Sequence, residues 1–275
     1  MIVVEGNEVL REILISEKGR EAVRGDIKLI RLIEELAANS WPSYTQQTLG
    51  AWRLRANMNV TKRANSVYTC GSFPEYGEWM DVVEEFYRRR SLLPCFYISE
   101  ASPTELDGIL HSSGYRKIFE CYTMVASCSE VMARSAESDQ FTSEFAGEAS
   151  SEWIYDFMRL EGYSPDRYDG YVHIFSAIGP KKSFVSLRHN GNLIALGTVV
   201  VERGWAGLSN IVVDAKHRGK GAGTALLRSI VNWSLCNGAD QLYLQVIGDN
   251  STALSLYRKH GFTPLFQHHY RLFDM

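Results

Sequence analysis

Three glycines within five positions, Gly219, Gly221 and Gly223, lie among the cations Lys216, Arg218 and Lys220. They follow the apolar run Ile211-Val212-Val213 and precede the helix-patterned Thr224-Ala225-Leu226-Leu227. Glycine lets a backbone turn sharply and present N–H groups with no Cβ in the way, and a helix start adds the positive end of its dipole. Phosphate oxygens are the natural ligand of such a loop. Lysine and arginine are disfavoured at a helix N-terminus unless an anion is present, so their crowding points to a bound polyanion rather than a solvated basic turn. The candidate diphosphate cradle is Gly219, Lys220, Gly221, Ala222, Gly223 and Thr224, with Arg218 adding charge.

Two familiar phosphate loops are excluded. A P-loop requires a Lys-Ser/Thr pair directly after its last glycine, whereas Thr224 and Ala225 follow Gly223. The dinucleotide fingerprint G-x-G-x-x-G fails too, since its third glycine falls on Thr224 or Leu226.

The elements that must position this loop can be read from periodicity. A helix is expected over Ile27 to Ala38, stopping before Trp41-Pro42, with strands near Ala51 to Arg55 and Ser66 to Thr69. A helix at Trp79 to Arg90, a strand at Cys95 to Ser99, a helix at Thr104 to His111 and a strand at Lys117 to Ala126 complete the first half. Ser127 to Gln140 is rich in Ser, Glu and Ala without apolar period and reads as a linker, dividing the chain into residues 1–130 and 131–275. The second half reads as a strand near Phe141 to Phe145, a helix at Ser150 to Leu160, and strands at Ser183 to Arg188, Leu193 to Val201 and Trp205 to Val213. After the glycine loop come a helix ending near Asn237-Gly238, a strand at Gln241 to Val246, a helix at Ser251 to His260 and terminal strands.

The halves repeat. Slid by 147 positions, the separation of Tyr115 and Phe262, Leu106, Ile109, Leu110, Gly114 and Tyr115 fall on Ala253, Leu256, Tyr257, Gly261 and Phe262. Phe96-Tyr97-Ile98 falls on Tyr243-Leu244-Gln245. The first half has no dense glycines before its long helix, where the acidic stretch Thr69 to Glu78 stands instead, so only one half can cradle a diphosphate.

With 45% apolar and 22% charged residues among 275 and a net charge of -3, the composition is that of a soluble globular protein and argues against a nucleic-acid or anionic-membrane binder. Met1 to Glu5 lacks the basic and apolar regions of a secretory leader, and a cytoplasmic location is expected. The five cysteines Cys70, Cys95, Cys121, Cys128 and Cys236 are scattered without metal spacing, so reduced thiols and no metal are expected.

Arg218, Gly221 and Gly223 match the pattern Arg/Gln-x-x-Gly-x-Gly/Ala, and Asn250, Ala253, Leu256-Tyr257 and Gly261-Phe262 match Asn-x-x-Ala-x-x-Leu-Tyr-x-x-x-Gly-Phe. In both motifs the chain resembles the GNAT superfamily of N-acetyltransferases, over residues 141–275. The first half, including Trp52 to Arg55 and Thr61 to Ser66, is similar to the degenerate N-terminal portion of bacterial tandem GNAT proteins. The resemblance implies a mixed α/β (α+β) fold of two GNAT-like units, each a mostly antiparallel sheet flanked by helices. It implies acetyl-CoA as co-substrate and a small-molecule or peptide amine as acceptor; the net charge leaves nucleic acid and membrane out as partners, and the first half, lacking the loop, is open to a role in a homodimer.

It further implies that the backbone of Ile211, Val212 and Val213 bonds the pantetheine arm and donates to the thioester oxygen. Those three residues are equally a buried strand, and both readings hold together. Asn250 either contacts the co-substrate or caps a helix. Tyr257, seven residues and two turns further on, shares its face. It is either a core aromatic or the general acid that the family keeps there, a phenol of pKa about 10 protonating a thiolate of pKa about 8.5. No carboxylate stands where many relatives place a general base, since Ser209-Asn210 and Gln245 occupy those strands. A water chain, bulk deprotonation of the substrate, or a carboxylate such as Glu202 must substitute. Of the adjacent His268 and His269, at most one can enter a cleft. The missing carboxylate also leaves a non-catalytic acyl-CoA-binding regulator as an alternative. The acceptor site is expected in the variable loop Glu161 to Tyr171 and the terminal strands, and Tyr163, Tyr168 and Tyr171 form an aromatic wall or face solvent.

Overall fold

The computed structural model describes residues 26–273, so the Met1 to Glu5 reading lies outside the described residues. The apolar spacing of Ile30, Ile33 and Leu36 forms α1 (Ile27–Asn39), opened by Asp26, whose carboxylate accepts from the Lys28 N–H. There follow β1 (Thr45–Leu49), β2 (Trp52–Ala56), a 3-10 turn at Lys62–Ala64, β3 (Val67–Tyr68), α2 (Trp79–Arg88), β4 (Cys95–Ser99), α3 (Leu106–Ser112) and β5 (Tyr115–Ser127). The rest is α4 (Cys128–Ala133), β6 (Thr142–Ala146), α5 (Ser151–Glu161), α6 (Tyr168–Ser176), β7 (Lys181–His189), β8 (Asn192–Glu202) and β9 (Trp205–Val213), then α7 (Ala222–Cys236), β10 (Gln241–Ile247), α8 (Ser251–Lys259) and β11 (Thr263–Phe273).

All eleven strands form one sheet in the order β1-β2-β3-β4-β11-β5-β10-β9-β8-β7-β6, antiparallel except at β3–β4 and β9–β10. The fold is therefore mixed α/β, a mostly antiparallel sheet flanked by helices. Its centre is an exchange: β5, the last strand of the first half, pairs with β10, while β11, the last of the second, pairs with β4. The two also pair with each other. Shifting by 147 positions carries the pair Tyr115↔Phe273 to Phe262 and Ala126, one rung beyond the observed Thr263↔Val125, so the sequence repeat is a pseudo-twofold about this ladder. The matched glycines Gly114 (φ +87) and Gly261 (φ +90) turn the chain into each of these strands in a conformation that favours glycine.

Three expectations differ. The segment read as a linker contains α4, whose Cys128 and Val131 are buried against α7 and β10 residues; two buried positions in a six-residue helix are too few to give a visible period. β1 was not foreseen, because Thr45 to Leu49 is an edge strand of mostly polar, solvent-facing residues. The terminal strands are one strand, β11, with register shifts at Pro264/Phe266 and His268/Tyr270.

Cores cross between the halves. α1 lays Ile30, Ile33 and Leu36 on Trp205, Tyr243 and Phe266. Trp41, Val60 and Ala64 join Trp153, Phe157, Tyr171 and Phe175 from α5 and α6.

Candidate active site

β9 and β10 pair in parallel only from Trp205 to Leu208 and Gln241 to Leu244. Beyond Leu208 they part, and the cause lies in β9. Asn210 takes φ +54, the β8–β9 register slips between Leu196 and Thr198, and Asn210 Nδ2 donates to Thr198 Oγ1 at 2.9 Å. The bulge bends β9 with β8, while β10 keeps its ladder to β5 as far as Ile247. A cleft of about 550 Å³ opens there, with Leu208 to Ile211 on one wall and Gln245 to Ile247 on the other.

Of Ile211, Val212 and Val213, the first lines the cleft, Val212 is buried against the α5–α6 cluster, and Val213 packs toward Gly223 of α7. The Asp214 N–H bonds Ile194 O at 2.8 Å on the β8 side, so strand alternation turns the polar backbone of Val213 away from β8. Its carbonyl accepts from Arg218 Nε at 3.1 Å, which ties the glycine loop to the end of β9.

The loop has the conformation its glycines suggest. Gly219 (φ +72) and Gly221 (φ +88) are left-handed, and open space lies where a Cβ would stand on either. Gly221 occupies the N-cap of α7, with no side-chain cap and no acid in the first turn. Among the described residues, no acceptor takes the N–H groups of Gly219, Lys220, Gly221, Ala222, Gly223 or Thr224; the first helical bond runs from Ala225 to Gly221 O. Arg218, Gly219, Lys220 and Gly221 are exposed, whereas Ala222 is buried. Gly223 is a close approach of another kind: a Cβ there would lie 3.3 Å from Leu256, so the glycine lets α8 pack on α7.

Asn250 caps α8, its side chain accepting from the Ala253 N–H at 3.0 Å, and also lines the cleft. Tyr257 is 7% exposed, packs on Phe262 and lines the cleft as well. Burial, and then the charge of Glu161, raise its phenol pKa, so the hydroxyl keeps its proton. His268 enters the cleft and His269 does not, as strand alternation requires. His269 is hydrogen-bonded at 2.7 Å to Asp107, which Arg271 also holds. Burial depresses the His268 pKa to about 3, so the ring is neutral. Glu202 is far from this chemistry, engaged by Asn39 and Arg203.

One carboxylate lines the cleft among the described residues, Glu161, the last residue of α5. Burial raises its pKa, against the opposing charge of Arg218. Nothing in sequence spacing links Glu161 to Tyr257. Tyr163 and Tyr171 form the aromatic wall, stacked with centroids 5.8 Å apart, while Tyr168 stacks outside it on Tyr155. The segment read as a loop there carries the start of α6. The first half closes the cleft with Trp41, Asn59 to Arg63, Phe119 and Cys121. Among the described residues no group of three or more His, Cys, Asp or Glu could hold a metal, and no helix is long and apolar enough to cross a membrane.

Comparison with known proteins places the chain in a family. Residues 28–273 match the family model described as probable histone acetyltransferase Rv0428c C-terminal. The uncharacterized N-acetyltransferase YobR of Bacillus subtilis (strain 168) is 49% identical over 243 residues, which are 88% of this chain and 98% of that protein. Among solved structures, a GCN5-related N-acetyltransferase from Kribbella flavida aligns with a TM-score of 0.67 at 14% identity, over 92% of this chain and 97% of the other. A tandem GNAT protein from the clavulanic acid biosynthesis pathway aligns with a TM-score of 0.64 at 14% identity, over 94% and 91%. A splayed strand pair, a glycine-rich helix start beside it, and relatives matched along nearly their whole length lead to one conclusion: the chain belongs to the GNAT superfamily of N-acetyltransferases.

Proposed function

We propose that the chain moves the acetyl group of acetyl-CoA to a primary amine by direct attack. The observation that carries this reading is the row of unclaimed N–H groups from Gly219 to Thr224, at the end of the strand that leaves β10 to form the cleft. Those donors, the uncapped start of α7 and the cations Arg218 and Lys220 fit a diphosphate. The unpaired edge of β9 at Ile211 to Val213 fits an extended arm as a further strand. Acetyl-CoA supplies the activated acyl group.

The chain's own groups supply the proton transfers. Glu161 accepts a proton from the incoming ammonium, its pKa drawn above the usual carboxylate value at the cleft wall although part of the side chain meets solvent. Tyr257, held protonated by burial, gives its phenolic proton to the departing thiolate, and the tyrosinate so formed takes the second proton of the attacking nitrogen as the amide is completed. Asn250 holds the start of α8 and so the position of Tyr257 two turns on. Glu161 also answers the motive for a non-catalytic regulator, which rested on a missing carboxylate.

The test pairs two variants. Gly221→Asp places a carboxylate and an unfavourable φ in the cradle and is expected to weaken acetyl-CoA binding at least about 100-fold by calorimetry. Tyr257→Phe is expected to keep that affinity and lower kcat about 10²-fold or more. Unchanged affinity in the first variant, or unchanged kcat in the second, contradicts the reading.

A further inference from the structure

The cleft carries more positive charge than the transfer reaction uses. Lys62, Arg63 and Arg167 line it against one carboxylate, Glu161. Behind Arg63 a small recess adds Arg55 and the buried Glu34, whose carboxyl is itself drawn toward protonation. None of Lys62, Arg63 or Arg167 makes an ion pair with a carboxylate among the described residues. Arg167 lies over the Tyr163 ring at 4.9 Å, and Arg63 over the Trp41 ring at 3.8 Å.

Arg63 is the most telling of the three. It lines the cleft together with Tyr163, Tyr171, Tyr270 and Cys121, and desolvation works against its charge with no carboxylate paired to it. Its backbone is fixed nonetheless. Thr61 and Asn65 bracket the 3-10 turn Lys62–Ala64: Thr61 Oγ1 accepts from the Ala64 N–H and from Trp41 Nε1. The Asn65 side chain accepts from the Asn57 N–H and donates to Thr61 O, each at 2.7 Å. Asn57 Nδ2 in turn donates to Gly170 O of α6 at 3.1 Å, locking the turn against the catalytic half. A guanidinium carried on so fixed a turn, laid over the Trp41 ring, partly desolvated and without a carboxylate, offers its fork to an oxyanion. The glycine loop does not line this part of the cleft, so its phosphate-binding groups leave Arg63 free for the acceptor.

Resting on the transfer reaction above, we propose that the acceptor is a primary amine that also carries a carboxylate or phosphate, and that Arg63 binds this anionic group while Glu161 faces the amine. Lys62 and Arg167 reinforce the field, and Trp41, Tyr163 and Tyr171 give the body of the acceptor an aromatic enclosure. Polycationic acceptors are disfavoured by the same charges.

Matched amines that differ only in the anion test this. Tyrosine against tyramine isolates a carboxylate, and glucosamine 6-phosphate against glucosamine a phosphate; spermidine represents polycations. Binding of each to the CoA-saturated full chain is measured by calorimetry, and kcat/KM by thiol release from acetyl-CoA. In at least one pair the anionic member is expected to bind about 10-fold or more tightly. Arg63→Met should close that gap while leaving acetyl-CoA affinity within about 3-fold, and Arg63→Lys, which keeps the charge but loses the fork and is the fallback should the methionine variant fold poorly, should leave it partly open. No preference for the anion in either pair, tighter binding of spermidine, or an undiminished preference in Arg63→Met and Arg63→Lys overturns the inference. Failure of the wild type to bind acetyl-CoA would instead remove the transfer reading, and calorimetry of the co-substrate alone separates the two.

Discussion

Gly170→Ala probes the seam between the halves. Gly170 lies in the first turn of α6, where alanine ordinarily stabilises a helix over glycine by at most about 1 kcal/mol. Here the added Cβ would stand 2.0 Å from Val60 Cγ2 and 3.0 Å from Val60 Cβ, well inside van der Waals contact. Val60 is itself buried, on the turn that carries Arg63, and cannot rotate out freely. Overpacking of this kind costs about 1–3 kcal/mol, so the net expectation is destabilisation of about 1–2 kcal/mol, or roughly 2–6 °C in Tm for a chain of this size. The second half of a double-mutant cycle sharpens the sign. Val60→Ala removes Cγ2, and in that background Gly170→Ala should fall to within about 0.5 kcal/mol of neutral, a coupling of about 1 kcal/mol or more. Thermal and urea unfolding of the four proteins measure it. An equal effect of Gly170→Ala in both backgrounds would show that the first-half turn does not seat on α6, and the acceptor wall built from Trp41 and Arg63 would fall with it.

Two further outcomes concern protons. With saturating acetyl-CoA, the rate should rise with pH through an ionisation above the usual carboxylate range, because Glu161 acts when deprotonated and its pKa is raised; Glu161→Gln should lose this limb together with most of kcat, and an unaltered pH profile would exclude Glu161 as base. His268 is neutral when folded, with its pKa lowered from 6.5 to about 3, so the unfolded chain binds a proton that the folded chain refuses. Its contribution is complete above pH 6.5 and is lost progressively as pH falls toward 3. His268→Gln should flatten the urea-measured stability between those values, and an identical slope would contradict the burial of a neutral ring.

The glycine turn, the two motif helices and the repeat were legible along the chain. These depend on local chemistry: a run of glycines before a helix, and an apolar period of 3.6 or 2, leave their record within a dozen residues. Glu161, Arg63 and the aromatic wall left no such record. Glu161 stands 96 positions before Tyr257 and Arg63 in the other half of the chain, and the α5 C-terminus, the 3-10 turn and β10 meet only after the sheet has closed. The exchange of β5 and β11 is of the same kind. Each strand's alternation tells which face it buries, but the neighbour it pairs with is chosen by the energy of the completed sheet. Sequence therefore marked the half that carries the exposed glycine turn, and only folding brought Trp41, Lys62 and Arg63 of the other half into the wall of the same cleft, since the distances that matter for charge and packing are set through space rather than along the chain.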